Sequence, residues 1–341
     1  GITGCSIALE MKKQQPDLRI LMLEKHFYPT GASTRNAGFA CFGSISELLD
    51  DLNHTDESVL KNLVRKRYEG LLLLRDTVPP QVMDFEMCGG HELFTDLTEF
   101  EKCADQIDCF NQWMNEIAGI KDVYSTGKVN GFDVIYNKYE GYLHSGKLMK
   151  WLHDQVRNSG IDIRWGASVK TVRPNVVNLE QNIQIYCEKI ILATNGFSET
   201  IMEEAPIVPA RGYVFVTNEV EDMPWKGTWH YDRGFIYFRN IGNRLLIGGA
   251  RNVDKDREET TLDKVNPLIK AHLIQFVMNT LKLQGNWAIE HEWTGIMGFG
   301  PNKTPIFKEI KDNVFIAAGL SGMGVALGMQ FGKDVASSIN I

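Results

Sequence analysis

Gly1-Ile-Thr-Gly4 opens a helix whose apolar face is carried by Ile2, Ile7, Ala8 and Met11. After a turn at Pro16-Asp17, the run Arg19-Ile-Leu-Met-Leu-Glu24 is continuously apolar and ends in an acid, as a parallel strand buried on both faces would. A helix started by G-x-x-G and a strand ended by Glu form the back half of a dinucleotide-binding βαβ unit. Glycine lets the backbone approach a pyrophosphate, and the helix N-terminus offers free N–H groups and a partial positive charge. Glu24 stands at about the spacing, roughly 20 residues, at which an acid bonds a ribose hydroxyl. Gly1 and Gly4 are then the second and third glycines of G-x-G-x-x-G, and the pattern calls for a further strand of about 5–10 residues ahead of Gly1.

Three further segments point the same way. Gly31-Ala-Ser-Thr-Arg-Asn-Ala-Gly-Phe39 follows Glu24 and is rich in small residues and hydroxyls that can bond phosphates, with Arg35 as a cationic donor. Lys189-Ile-Ile-Leu-Ala-Thr-Asn-Gly-Phe197 is an apolar strand ending at Ala193-Thr194 and closed by an Asn195-Gly196 turn. Asn313-Val-Phe-Ile-Ala-Ala-Gly319 reads as a strand. Leu320-Ser-Gly-Met-Gly-Val-Ala-Leu-Gly328 then starts a helix with glycines at its head, where an N-terminus stabilises negative charge. Between them, Glu140-Gly-Tyr-Leu-His-Ser-Gly-Lys-Leu148 leads into a helix marked by Leu148, Leu152 and Val156 and stopped by Gly160.

Taken together these segments resemble the D-amino-acid oxidase-like family of flavoproteins nearly end to end, closest in look to its glycine oxidase and gamma-glutamylputrescine oxidase-type members. The resemblance implies noncovalently bound FAD. It places Gly1, Thr3, Gly4, Glu24, Lys25, Ala32, Ser33, Arg35, Asn36, Ala37 and Gly38 along the adenosine and pyrophosphate. Val169 would lie against the adenine, with Ala193, Thr194, Asn195 and Gly196 returning the chain to the cofactor. Gly319, Ser321, Gly322, Met323, Gly324 and Val325 would face the N1–C2=O edge of the isoalloxazine, which becomes anionic on reduction.

The implied fold class is α/β. An FAD-binding Rossmann-like domain of the glutathione-reductase type is assembled from 1–45, 140–205 and 285–341. A second, α+β substrate domain on a mostly antiparallel sheet comes from 46–139 and 206–284. The first part of the second domain reads as helix-rich, with helices at Val59–Leu74 and Leu97–Ile117. Strands are expected at Ala210–Thr217, Gly234–Arg239 and Arg244–Gly248, the last two joined at Asn240–Asn243.

Composition narrows the partners. The net charge is −7 over 341 residues, without the basic clustering that nucleic acid or an anionic membrane would require. No apolar run is long enough to span a bilayer. The six cysteines form no CxxC pair. They read as free thiols rather than a Cys103–Cys109 disulfide, consistent with a cytoplasmic protein. No HExxH or Cys/His cluster marks a metal site.

On the strand ending at Arg239, alternation sets Phe235, Tyr237 and Arg239 on one face, the face that the resemblance turns toward the substrate. Tyr237, Arg239 and Arg251 are therefore the candidate catalytic and substrate-contact residues. In Trp293-Thr-Gly-Ile-Met-Gly-Phe-Gly300 the family usually carries an arginine that grips the substrate carboxylate, and here Met297 stands in its place. Either Arg239 or Arg251 takes over, or the substrate is an amine without that carboxylate. His26 and His144 flank cofactor segments without a pattern for covalent flavin attachment, and His230 and His291 read as structural. The expected reaction is hydride removal from the C–H next to nitrogen of a small amine or amino acid, with oxygen or a quinone as electron acceptor. A 2-hydroxy-acid dehydrogenase of the same fold, a flavin-dependent RNA-modifying module, a protein that keeps FAD without turnover and an NAD-dependent enzyme are the alternatives.

Overall fold

The computed structural model describes residues 1–339; Asn340 and Ile341, the end of the segment assigned to the cofactor part, lie outside the described residues. Gly1 caps the helix Ile2–Gln14, which buries Ile2, Cys5, Ile7, Ala8 and Met11. The C-terminal helix Gly324–Ser338 lies along it at glycine-to-backbone distance. A Cβ on Gly328 would stand 2.7 Å from the Ile2 side chain, and one on Gly332 would stand 3.0 Å from the Ile7 nitrogen. On the other side of the C-terminal helix, Gly70 of the helix Glu57–Thr77 meets the Ala326 carbonyl so closely that a side chain would overlap it. Three helices are thus drawn together at points where no side chain intervenes, a spacing only glycine permits.

Two parallel pairs lie outside the large sheet. Leu21–Glu24 pairs with Asp162–Trp165, and Ile190–Leu192 pairs with Val314–Ala318, which also carries Ile306–Lys311 antiparallel. Leu21–Glu24 is less buried than its apolar run predicts, with Leu21 41% exposed. It is paired along a single edge among the described residues, so its other edge gains no cover. An antiparallel ribbon of Val169–Arg173, Val176–Leu179 and Gln184–Tyr186 flanks this part.

The large sheet has eight strands, in the spatial order 289–299, 208–217, 244–249, 236–241, 228–231, 90–94, 132–137, 124–129. All neighbours are antiparallel except 228–231 with 90–94. One face is covered by the helix Pro267–Asn279. There Phe215, Trp225, Trp229, Phe238 and Ile247 pack with Ile269, Leu273 and Val277, each large side chain contributing about 1.5–3 kcal/mol. The opposite face looks toward the glycine-rich loops.

Two expectations change. The stretch read as helix-rich supplies three strands of the sheet (90–94, 124–129, 132–137), and the helix expected over Leu97–Ile117 breaks into Leu97–Ala104 and Ile107–Ala118. Asp96 caps the first piece by accepting from the Glu99 N–H, and Asp105-Gln106 turns the chain into the second. The strand Ile289–Phe299, within the stretch assigned to the cofactor part, runs the length of 208–217 in the large sheet. All six cysteines are free, Cys103 buried and Cys109 exposed. Among the described residues no helix is long and apolar enough to cross a membrane.

Candidate active site

The glycine-rich loops converge on the head of the opening helix. The Ile2 N–H donates to Ser33 Oγ at 3.1 Å, and a Cβ on Gly1 would overlap that oxygen. Thr3 Oγ1 and Thr34 Oγ1 are buried here without a hydrogen-bond partner. Such orphans are rare in a settled structure and mark a place where a further group belongs. Asn36 ties the loop: its Nδ2 donates to the Ala32 and Ser33 carbonyls, and its Oδ1 accepts from the Gly38 N–H at 2.9 Å and Ser145 Oγ at 2.6 Å. Gly38 has φ +80°, and a side chain there would strike the Leu143 carbonyl, so only glycine fits. Ala37 is buried at the end of this loop.

The remaining cofactor candidates surround the same place. Gly4 sits 3.4 Å, by its would-be Cβ, from Ala193. Thr194 shares a hydrogen bond with Ser198. Asn195 adopts φ +47° and its Oδ1 accepts from the Gly319 N–H, while Gly196 abuts the Met297 carbonyl. Gly319, Ser321 and Gly322 all have positive φ, and the Ser321 N–H donates to the Gly298 carbonyl at 3.1 Å. Met323 starts the C-terminal helix without a side-chain cap, leaving the first N–H groups around Gly324 and Val325 open to a ligand. Glu24 ends its strand half-buried, its carboxylate accepting the His26 N–H, and its carbonyl accepts the Ala167 N–H two residues ahead of Val169. Lys25 and His26 are exposed, and His144 caps the helix Ser145–Asn158.

Arg35 is placed elsewhere than the loop pattern suggests. Its Nη1 donates to Asp263 at 2.6 Å and to the Thr294 carbonyl at 2.9 Å, and Asp263 also holds Thr294 Oγ1. The guanidinium fastens the loop to the irregular strap 259–266.

Cross-strand register defines the sheet's open face. Trp293, Val214, Gly248, Tyr237, His230, Glu92 and Ile135 are successive partners across seven strands, and directly opposed residues share a face. At one end glycines clear the surface. Gly295 lies against Ala32 and Arg35, and Gly248 against the Tyr213 carbonyl and the Tyr237 ring. Met297 is on the same face, its Cε 3.1 Å from a would-be Cβ on Gly212 and its Sδ 3.8 Å from one on Gly322, so the wall where an arginine was sought is apolar. Phe39 meets both Tyr237 and His230 edge-on, with ring centroids 5.5 and 5.4 Å away.

Of the three catalytic candidates, Tyr237 and Arg239 share this face and Arg251 lies beyond the end of the next strand. Burial pushes the Tyr237 hydroxyl up to about 12. Arg239 Nε donates to the Ala37 carbonyl at 2.7 Å, Nη1 donates to the Asn240 carbonyl, and the guanidinium lies 4.6 Å over the Tyr142 ring. No carboxylate pairs with it among the described residues, and burial draws its ionisation down to about 10. Arg251 stacks 4.4 Å over Phe299, half-buried, and burial lowers its ionisation too.

The other end of the face holds a charged cluster that sequence reading missed. Glu140, 1% exposed, accepts from His230 Nε2 at 2.9 Å and from Asn137 Nδ2 at 3.2 Å. Gly90 leaves room for it, since a Cβ there would overlap the carboxylate. Glu92 accepts from Ser46 through both the backbone N–H and Oγ, and burial raises its ionisation. Behind them Glu47 takes Arg67 at 3.3 Å and Lys303 at 3.0 Å, and Lys303 also reaches Asp51 at 2.8 Å. Burial opposes the Glu47 charge, but Lys303 and Arg67 outweigh it and hold the carboxyl at about 2. Arg67 is fully buried with Nε and Nη2 unpartnered. His230 had been read as structural. The available signal was its alternation with Thr228 across from Tyr237 and Arg239. Among the described residues no cluster of His, Cys, Asp and Glu is arranged to hold a metal ion.

Comparisons with known proteins agree with this geometry. The sequence profile of the DAO family, described as FAD dependent oxidoreductase, matches residues 1–338. The probable oxidoreductase OrdL of Haemophilus influenzae is 22% identical, covering 99% of this chain and 81% of its own length. Glycine oxidase from Bacillus cereus superposes with a TM-score of 0.74 at 18% identity, covering 99% of this chain and 92% of that one. L-proline dehydrogenase from P. horikoshii gives 0.76 at 17%, covering 99% and 90%. Iminodiacetate oxidase from Chelativorans sp. BNC1 gives 0.76 at 16%, covering 99% and 92%. The orphaned Thr3 and Thr34 hydroxyls, the uncapped helix heads and the glycine-cleared loops suit the phosphates and ring edge of the FAD this family uses. The chain belongs to the DAO family of FAD-dependent oxidoreductases.

Proposed function

We propose that the protein removes a hydride from the C–H next to nitrogen in a small amine or amino acid, with FAD held noncovalently. The observation that carries this reading is the open sheet face, where Tyr237 and Arg239 stand over the loop 36–39. It is supported by the structural neighbours, whose names refer to glycine, iminodiacetate and proline. Bound FAD supplies the hydride acceptor; the chain supplies position and charge. The backbone around Gly1, Ser33 and Gly38 and the hydroxyls of Thr3 and Thr34 would hold the pyrophosphate, and the head of the C-terminal helix would meet the ring edge. Phe39 and Tyr237 shape an apolar wall that orients the substrate and excludes water. Met297 offers no charge, so an uncarboxylated amine fits the face as it stands. A carboxylate would fall to Arg239, whose Nη2 donates to no group among the described residues.

The test is anaerobic bleaching of the oxidised-flavin absorbance by a panel of amines, N-methyl amino acids, D- and L-amino acids and 2-hydroxy acids. Bleaching by an uncarboxylated amine supports the reading. Bleaching by amino acids alone moves the carboxylate to Arg239, and Arg239→Gln then raises the substrate concentration required. Bleaching by hydroxy acids alone overturns it.

A further inference from the structure

The buried pair His230–Glu140 has a geometry that the cofactor and substrate contacts described so far do not use. Glu140 is held from two directions, by His230 Nε2 and Asn137 Nδ2, in a space that Gly90 vacates. A carboxylate so placed fixes the proton of the neutral imidazole on Nε2 and leaves the lone pair on Nδ1. Nδ1 makes no hydrogen bond to any described residue, and it is not among the sealed orphan atoms. The ring sits directly across the ladder from Tyr237 and against Phe39, in the row assigned above to the substrate.

We propose that His230, oriented by Glu140, is the proton acceptor for the substrate nitrogen. This rests on the functional reading above. An amine arrives as its ammonium ion, and its lone pair is then tied up in an N–H bond. That N–H bond breaks, a bond forms between the proton and Nδ1, and the electron pair stays on the substrate nitrogen. No electrons leave the substrate in this step. The freed lone pair is what makes the neighbouring C–H hydridic. The imidazolium that results is stabilised by Glu140 at 2.9 Å, as the carboxylate of an acid–imidazole pair stabilises it in acyl transfer.

The groups facing His230 from each packed element set its titration. Burial pulls the ring down, but Glu140 before the strand 141–142, Glu92 on 90–94 and Glu47 on the helix 45–52 outweigh it and raise the ionisation above the ordinary imidazole value. His91, next to Glu92, and His230 repel one another. Tyr237 on 236–241 and Tyr124 on 124–129, both raised, stay neutral. The base form therefore accumulates as pH rises through a raised ionisation, and the reductive rate gains with pH along the same limb.

The experiment uses the FAD-loaded protein, His230→Gln and Glu140→Gln, with rapid-mixing measurement of flavin bleaching by an amine that reduces the wild type. At neutral pH His230→Gln slows bleaching by about 10²–10⁴-fold, the range for general acid–base groups. The deficit closes at a pH where the amine is already deprotonated in solution, which a structural defect would not allow. Glu140→Gln keeps the side-chain shape and moves the rising limb to lower pH. A second readout does not depend on turnover: ¹⁵N spectra of labelled histidine, assigned by loss of one signal in His230→Gln, report the Nε2–H tautomer and the raised titration. Equal rates and an unmoved limb in His230→Gln, or a ring protonated on Nδ1 in its neutral form, overturn the proposal. A wild type bleached by every hydroxy acid and no amine overturns the functional reading itself, and the proposal with it.

Discussion

One sheet face serves two ends that are built on opposite principles. Toward Trp293, Gly295 clears the surface so that Ala32 and Arg35 of the loop 32–39 lie against backbone, and the charges of Arg35 and Asp263 pair at the rim. Toward Glu92 the same face carries Glu140, His230 and Glu92, backed by Glu47, Arg67 and Lys303; Arg67, Glu92 and Glu140 are buried and the other three partly so. A phosphate-bearing cofactor is met by N–H groups and helix heads, which leave the apoprotein with little uncompensated charge. The end proposed for substrate stores its charges permanently and must balance them inside the protein, where an unpaired ion is costly.

The contrast is open to attack at several points. Its largest expected effect is Glu47→Ala, which leaves Arg67 without its carboxylate and strips one from Lys303. Urea unfolding at neutral pH should show a loss of about 3–5 kcal/mol. Glu47→Leu combined with Arg67→Met, which removes the pair and the two unpartnered donors together, should cost less than Glu47→Ala. Equal losses in the two variants would break the comparison. The pH limb sharpens it: because the Glu47 carboxyl is depressed, its stabilisation is complete above the ordinary value of 4.5 and lost as pH falls toward about 2. Glu47→Gln should flatten the unfolding free energy across that window.

At the glycine end the penalties are steric and indifferent to pH. Gly38→Ala meets both a positive φ and the Leu143 carbonyl, and should cost about 2–3 kcal/mol in thermal or urea unfolding at every pH. Gly248→Ala crowds the Tyr237 ring at 2.9 Å. It should raise KM for an oxidisable amine several-fold while stability falls by about 1–2 kcal/mol. Smallest of all, Thr34→Val removes a buried hydroxyl that has no protein partner. The apoprotein should be unchanged in stability, whereas FAD binding measured by fluorescence quenching should weaken about 3–10-fold, the worth of one hydrogen bond. An apoprotein destabilised by Thr34→Val would show that the hydroxyl serves the fold and not the cofactor.

The same division explains what could be read in advance. The cofactor segments are contiguous, each with its own spacing of glycines and hydroxyls, so Gly1, Gly38, Asn195 and Gly319 announce themselves locally. That Tyr237 and Arg239 share a face was legible from strand alternation; their assignment to the substrate rested on the resemblance. The charged cluster was not, because Glu47, Arg67, Glu92, Glu140, His230 and Lys303 come from six separate stretches joined only by sheet register and helix packing. The pairing of Arg35 was hidden for a related reason: nothing within 31–39 reveals that Asp263, far along the chain, binds it. The break at Asp105-Gln106 was hidden because both halves of 97–117 keep helical periodicity across it.

The strand Ile289–Phe299 has a mechanical consequence. It is laddered along its whole length to 208–217 in the roof, and its last residues, Met297 and Gly298, also lie against Asn195, Gly196 and Ser321 at the floor. A single uninterrupted ribbon therefore braces roof to floor, and the two cannot swing apart like a jaw without tearing its hydrogen bonds. Any movement beside the sheet then falls to segments outside this ribbon, such as the 259–266 strap, which is tethered at Arg35 and Arg211. The sheet and the loops beneath it are thus stitched along one seam.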